Sequence, residues 1–126
     1  MAMRTPLSRV LHFGSAHSGT EHFWRQRLTG AANVPLTIGL IVIIVTTIGQ
    51  PYETVVAFLG RPWVAAVLAL LFVSAAIHMR IGMQVVVEDY IHGEGLKVVL
   101  LAASTLFSIA VAAVAILAIV KLALGA

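Results

Sequence analysis

Three long stretches without a single charge constrain this chain more than any other feature. VPLTIGLIVIIVTTIG lies within residues 28–49, WVAAVLALLFVSAAI opens residues 63–87, and VVLLAASTLFSIAVAAVAILAIV fills most of residues 98–124. As helices rising 1.5 Å per residue, these ranges reach roughly 33 to 40 Å, enough to cross a hydrocarbon core of about 30 Å with some tilt. Inside hydrocarbon the backbone must satisfy its own hydrogen bonds, which a helix does within one segment. The expected fold is therefore all-α, an integral membrane protein with three transmembrane helices. Pro35 falls near the expected start of the first span, where a proline is tolerated. Composition agrees: 60% of the 126 residues are hydrophobic and 10% charged, too apolar for a soluble domain of this length.

The charges supply topology. Arg4, Arg9, Arg25, Arg27 and Lys97 flank the spans on one side, against Arg61 and Lys121 on the other. The positive-inside rule then predicts a cytoplasmic N-terminus and places the loop after Glu88 on that same side. Residues 1–27 form a basic N-terminal segment ahead of a single anchor domain over 28–126. This segment has no apolar stretch of a secretory signal, and its Arg/Ser bias resembles an organelle transit peptide only faintly. It is expected to be retained, in a bacterial cytoplasmic membrane rather than a mitochondrial inner membrane. The net charge of +3 is scattered and not gathered on one face with aromatics, so no nucleic acid is expected as a partner. With no cysteine, the chain alone can hold neither an iron–sulfur cluster nor a c-type haem. It also lacks a dinucleotide-binding fingerprint.

In the third span, Ser104, Ser108, Ala112 and Ala115 recur at three- and four-residue spacing. Such a small-residue ridge lets membrane helices approach closely, although alanine is abundant enough in this chain to produce one by composition.

The second span carries the chemistry, in HMRIGMQVVVEDY from His78 to Tyr90. At 100° per residue, Leu71, Ser74, Ala75, His78, Ile81, Gly82, Val85 and Asp89 share one face, and small residues flank the histidine. An imidazole there has two readings. It bonds a serine or a carbonyl on a neighbouring helix, or it reaches axially to the iron of a flat macrocycle for which Gly82 leaves room. A low-spin haem needs a second axial ligand, and the other histidines (His12, His17, His22 and His92) all lie outside the spans. The second ligand would then come from another chain.

Asp89 lies roughly 16 Å along the axis from His78, and Tyr90 follows at the interface. A phenol and a carboxylate there can grip a quinone carbonyl and relay protons. They also suit an aromatic belt beside a solvated loop.

His78-x-x-Ile81-Gly82-Met83 followed by Asp89-Tyr90 resembles the second helix of the hydrophobic anchor subunits D of succinate dehydrogenase (complex II). His22-Phe23 and Arg27-x-Thr29, leading into a span with Pro35, are similar to that family's motif at the start of its first helix. The resemblance covers about residues 19–124. It implies that His78 is an axial ligand of haem b, with the other ligand a histidine of a second, partner membrane anchor. It further implies that Tyr90 hydrogen-bonds a ubiquinone carbonyl, that the neighbouring Asp89 orients that site, and that Arg27 lies near the haem propionates or lipid headgroups. An iron–sulfur subunit and a flavoprotein subunit would complete the complex.

Two residues depart from the family pattern: Arg80, where an aromatic or apolar residue is usual, and Gly30, where alanine is commonest. The expected function is a membrane anchor of succinate:quinone oxidoreductase that shares haem b and helps form the ubiquinone-reduction site. Its alternatives are the anchor of a quinol:fumarate reductase and a non-redox three-helix subunit.

Overall fold

A computed structural model describes residues 16–125 of the chain, with side chains from Thr20 onward. The part of the basic head that holds Arg4, Arg9 and His12 lies outside the described residues. The rest is helical: α1 (Ala16–Thr47), α2 (Tyr52–Leu59), α3 (Pro62–Tyr90) and α4 (Glu94–Leu124), with no strand among the described residues. Three of these are long and apolar enough to cross a membrane, over Thr20–Thr47, Pro62–Tyr90 and Glu94–Leu124.

The helix ends follow from local sequence. Thr46 and Thr47 turn their hydroxyls back to the carbonyls of Val42, Ile43 and Ile44, so both hydroxyls are satisfied within the last turns of α1. Gly49 then takes the left-handed conformation at φ 76°, which glycine adopts without steric cost. Pro51 stands at the N-cap of α2, and Pro62 occupies the first turn of α3, where its missing N–H is no loss. In α4, Glu94 in the first turn and Lys121 in the last complement the helix dipole, and Gly125 at φ 70° closes the end.

One feature differs from the sequence-based expectation and one adds to it. α1 is helical from Ala16, where the described residues start, and runs unbroken through position 28, so Pro35 stands in the helix interior instead of near its start. There it removes one backbone donor and frees the carbonyl of Ala31, one turn earlier. The link between the first two spans, to which the span boundaries assign no structure, contains a helix, α2. Its signals are the proline before YETVVAFL, an acid in its first turn and the Gly-Arg-Pro that ends it.

The three long helices form a row. α3 packs against α1 on one side and against α4 on the other, and its contact residues show this. Ser74 and His78 meet α1, whereas Arg80, about 200° round the helix from His78, reaches Thr105 of α4. The small-residue ridge of α4 is its covered face: Ser108 is buried, and Ser104, Ala112 and Ala115 are partly so. The apolar core sits at the end of the row that holds Arg61. There Ile43 of α1, Val64, Ala65 and Leu68 of α3, and Ile119 of α4 cluster with Phe58 and Leu59 of α2.

Gly60 closes that end. A Cβ built on it would lie 2.6 Å from the carbonyl oxygen of Leu122, so the chain after α2 abuts the backbone of α4 directly. Backbone cannot yield as a side-chain tip does, and overpacking of this kind typically costs about 1 to 3 kcal/mol. Gly60→Ala should therefore lower the thermal unfolding midpoint of the assembled complex, whereas Gly95→Ala, with open space around the position, should leave it within error of wild type. Calorimetry or a thermal-shift assay in detergent checks the pair.

Candidate functional site

The α1–α3 seam carries a row of polar residues within the spans. On α1, Gln26, Thr29, Gly30 and Asn33 fall on one stripe by helical spacing, and on α3 Ser74, His78 and Gly82 do the same. The helices run antiparallel, so the two stripes meet in register. Gln26 Nε2 lies 3.7 Å from the position a Cβ on Gly82 would take, and His78 Cε1 lies 3.3 Å from the corresponding position on Gly30. Ser74 donates to the carbonyl of Thr29 at 3.3 Å.

His78 is half-buried in this seam. Its Nδ1 lies 3.2 Å from the hydroxyl oxygen of Thr29. That hydroxyl sits 2.7 Å from the carbonyl of Arg25 and 3.2 Å from that of Gln26. The other ring nitrogen, Nε2, has no hydrogen-bond partner among the described residues and is not enclosed by the chain. The room expected beside His78 and Gly82 is thus bounded by Gly30 and Gln26 of α1, and the open direction is at the Nε2 edge. Two buried oxygens elsewhere on the stripe, Gln26 Oε1 and Asn33 Oδ1, also lack partners.

A second feature lies about 18 Å further along α3, where the helix ends. Tyr90 is 75% exposed and lines an apolar groove of about 520 Å³ between α3 and α4. Met79, Met83 and Val86 form one wall, and Leu100, Ala103 and Phe107 the other. Glu88 is held by Gln84, whose amide donates to it at 2.9 Å. Asp89 and the Tyr90 hydroxyl have no partner among the described residues, so of the two adjacent acids only Asp89 is free. Asp89 does not line the groove; it lies about 100° round the helix from Tyr90, toward the α1 side.

Compared with known proteins, the chain matches the description of succinate dehydrogenase/fumarate reductase transmembrane subunits over residues 1–119. It is 32% identical over 122 residues to the succinate dehydrogenase hydrophobic membrane anchor subunit of Paracoccus denitrificans, covering 97% of this chain and 94% of that one. The chain belongs to this family of transmembrane subunits. It is also 34% identical over 94 residues to the succinate dehydrogenase membrane anchor subunit of Reclinomonas americana, covering 72% of this chain and 78% of that one. The corresponding anchor subunit of Rickettsia bellii is 31% identical over 106 residues, 84% of this chain and 85% of that one. No solved structure matches the chain.

In this transmembrane subunit the four sequence-predicted site residues do not form one cluster. His78 belongs to the α1–α3 seam, Tyr90 to the α3–α4 groove, and Asp89 to the exposed end of α3. Arg27 stacks its guanidinium on Phe23 at 4.7 Å, on the exposed side of α1, about 100° round from Gln26. It therefore points away from the seam, while Arg25 pairs with Glu21 one turn earlier. Arg80 donates to Thr105 at 3.3 Å and so bridges α3 to α4.

The contact of Thr29 with His78 and the α4 wall of the groove are not legible in the sequence alone. Both follow once helices are paired antiparallel. Positions facing across the α1–α3 seam have nearly constant summed numbers, as Gly30 with His78 and Gln26 with Gly82 show.

Proposed function

We propose that this chain is the membrane anchor of a succinate:quinone oxidoreductase, holding a haem b through His78 and presenting Tyr90 to ubiquinone. The membership of the family and three succinate dehydrogenase anchors among its relatives support the anchor role. The relatives named favour succinate oxidation over fumarate reduction as the physiological direction.

The observation that carries the haem is the His78 ring, held at Nδ1 and open at Nε2 in the middle of a span. An intramembrane imidazole with one satisfied and one open nitrogen suits an axial ligand. When bound, the haem supplies a one-electron redox centre. A histidine of the partner membrane anchor would complete the ligation that His78 begins, and electrons would reach the membrane from the iron–sulfur subunit, itself fed by the flavoprotein subunit. Arg27, on the outer side of α1, serves lipid headgroups more readily than haem propionates.

At the end of α3, the Tyr90 hydroxyl donates to a quinone carbonyl, and this bond strengthens as negative charge builds on the oxygen. Asp89, unpaired beside it, orients the site and moves protons from the aqueous side. The apolar groove gives the prenyl tail a wall continuous with Tyr90.

We further infer that the Tyr90 end faces the cytoplasm of a bacterial inner membrane, because it gathers Arg25, Arg27 and Lys97. The absence of cysteine makes this directly measurable. Gly93→Cys should react with an impermeant maleimide only in inverted vesicles, and Gln50→Cys only in right-side-out ones.

His78→Leu removes the ligating ring but keeps an apolar side chain. The low-spin haem b spectrum of the purified complex should be lost or become high-spin. Retention of the wild-type spectrum would leave His78 as a packing residue and favour the non-redox reading.

Tyr90→Phe should lower quinone reductase turnover by roughly 10- to 150-fold, the equivalent of about 1.5 to 3 kcal/mol for a charge-assisted bond. Succinate oxidation with an artificial acceptor at the soluble subunits should stay near the wild-type rate. Equal quinone-dependent rates at limiting and saturating quinone would reduce Tyr90 to an interfacial anchor.

A further inference from the structure

Thr29 is the only side chain of the described residues that hydrogen-bonds the His78 ring. Its hydroxyl carries one proton, and two backbone carbonyls compete for it, Arg25 at 2.7 Å and Gln26 at 3.2 Å. These are the usual back-bonds of a threonine in a helix, and with the proton directed into α1 the oxygen can offer His78 only a lone pair. A neutral imidazole facing a lone pair at 3.2 Å must carry its proton there, as Nδ1–H. The lone pair of the ring is then at Nε2.

A second contact fixes the ring itself. Gly30 follows Thr29, and a Cβ in its place would stand 3.3 Å from His78 Cε1, the carbon between the two nitrogens. The backbone of α1 thus backs the ring edge closely, and a methyl there would need the ring to give by a few tenths of an ångström. Ser74, donating to the carbonyl of Thr29, ties that turn of α1 to α3 one turn from the histidine.

We propose that Thr29 is a positioning residue that selects the Nδ1–H tautomer of His78, so that Nε2 is the ligating atom, with Gly30 setting the ring's distance from α1. The inference rests on the haem reading of His78. Its general logic is that of a metal-bound histidine whose remote N–H is held by an acceptor, which fixes the tautomer, aligns the ring and raises its basicity. A residue acting through such a bond typically changes metal affinity about 10- to 100-fold when lost.

The test compares Thr29→Val, which keeps the shape and removes the hydroxyl, with Thr29→Ser, which keeps the hydroxyl. Both are made in the full complex, with His78→Leu in parallel. Thr29→Val should release haem b to apomyoglobin about 10- to 100-fold faster and raise the haem reduction potential, because a less basic ligand favours the ferric state less. Thr29→Ser should restore both. Wild-type haem release and potential in Thr29→Val, alongside loss of the spectrum in His78→Leu, would overturn this inference and leave the haem assignment standing. An unchanged spectrum in His78→Leu would overturn the haem assignment itself. The tautomer is read independently from ¹⁵N ring shifts of the histidine-labelled full chain without haem, where the His78 signal is recognised by its absence in His78→Leu. A His78 ring with Nδ1 protonated and Nε2 bare is expected in wild type. An Nε2–H ring would overturn the proposal whether or not the Thr29 variants assemble.

Discussion

A hydrogen-bond donor or acceptor inside hydrocarbon has no water to turn to, and the contacts between the helices of this chain follow from how most such groups are answered. Backbone groups of the spans are answered within helices, apart from the Ala31 carbonyl that Pro35 frees. Four side-chain hydroxyls, those of Thr29, Thr46, Thr47 and Ser108, turn back on their own helix, which commits their protons locally and leaves their oxygens as acceptors, whereas Ser74 donates across to α1. Where such an oxygen meets another helix it becomes a directional contact, and the Thr29–His78 pair is the instance with chemical consequence. Polar contacts between membrane helices are individually modest in energy, so their larger effect here is on orientation.

On the proposed function, the same helix, α3, carries two tasks at two depths. His78 lies inside the hydrocarbon, with its ring fixed by α1, and Tyr90 lies where the helix ends, against a groove shared with α4. Each task uses a different neighbour, because the row arrangement gives α3 two opposite working faces. This is why the residues that share a motif in sequence do not share a pocket. Their common element is a helix axis, along which His78 and Tyr90 stand about 18 Å apart.

Most of the fold was legible in the sequence, since uncharged stretches of 15 or more residues admit few alternatives to spanning helices. The ridge at Ser104 and Ser108 was also legible, because small residues at helical spacing predict close approach whatever the partner. The extent of α1 was not, since polar residues such as His22, Arg25 and Gln26 read as a head when only hydropathy is followed, although nothing in them breaks a helix. Pro35 misled for the same reason: its place in the helix depends on where the helix starts. At the candidate site, the residue types and their spacing along the helix were evident and their partners were not, because helical periodicity gives the angle of a side chain but not which neighbour fills that direction. The free state of Asp89 beside a tethered Glu88 depended on a rotamer of Gln84, which no pattern encodes.

The row of helices has a further consequence for the membrane around it. Three helices in line present two broad sides, whereas a closed triangle would turn part of each helix inward. Ile38, Val45, Leu106, Val114 and Leu117 are accordingly among the many exposed apolar residues of α1 and α4. Such a slab orders more lipid tails per helix than a compact trio does, and another membrane protein laid along one side frees that lipid all at once. The entropy of released acyl chains then becomes a driving force for pairing that needs no polar contact at all.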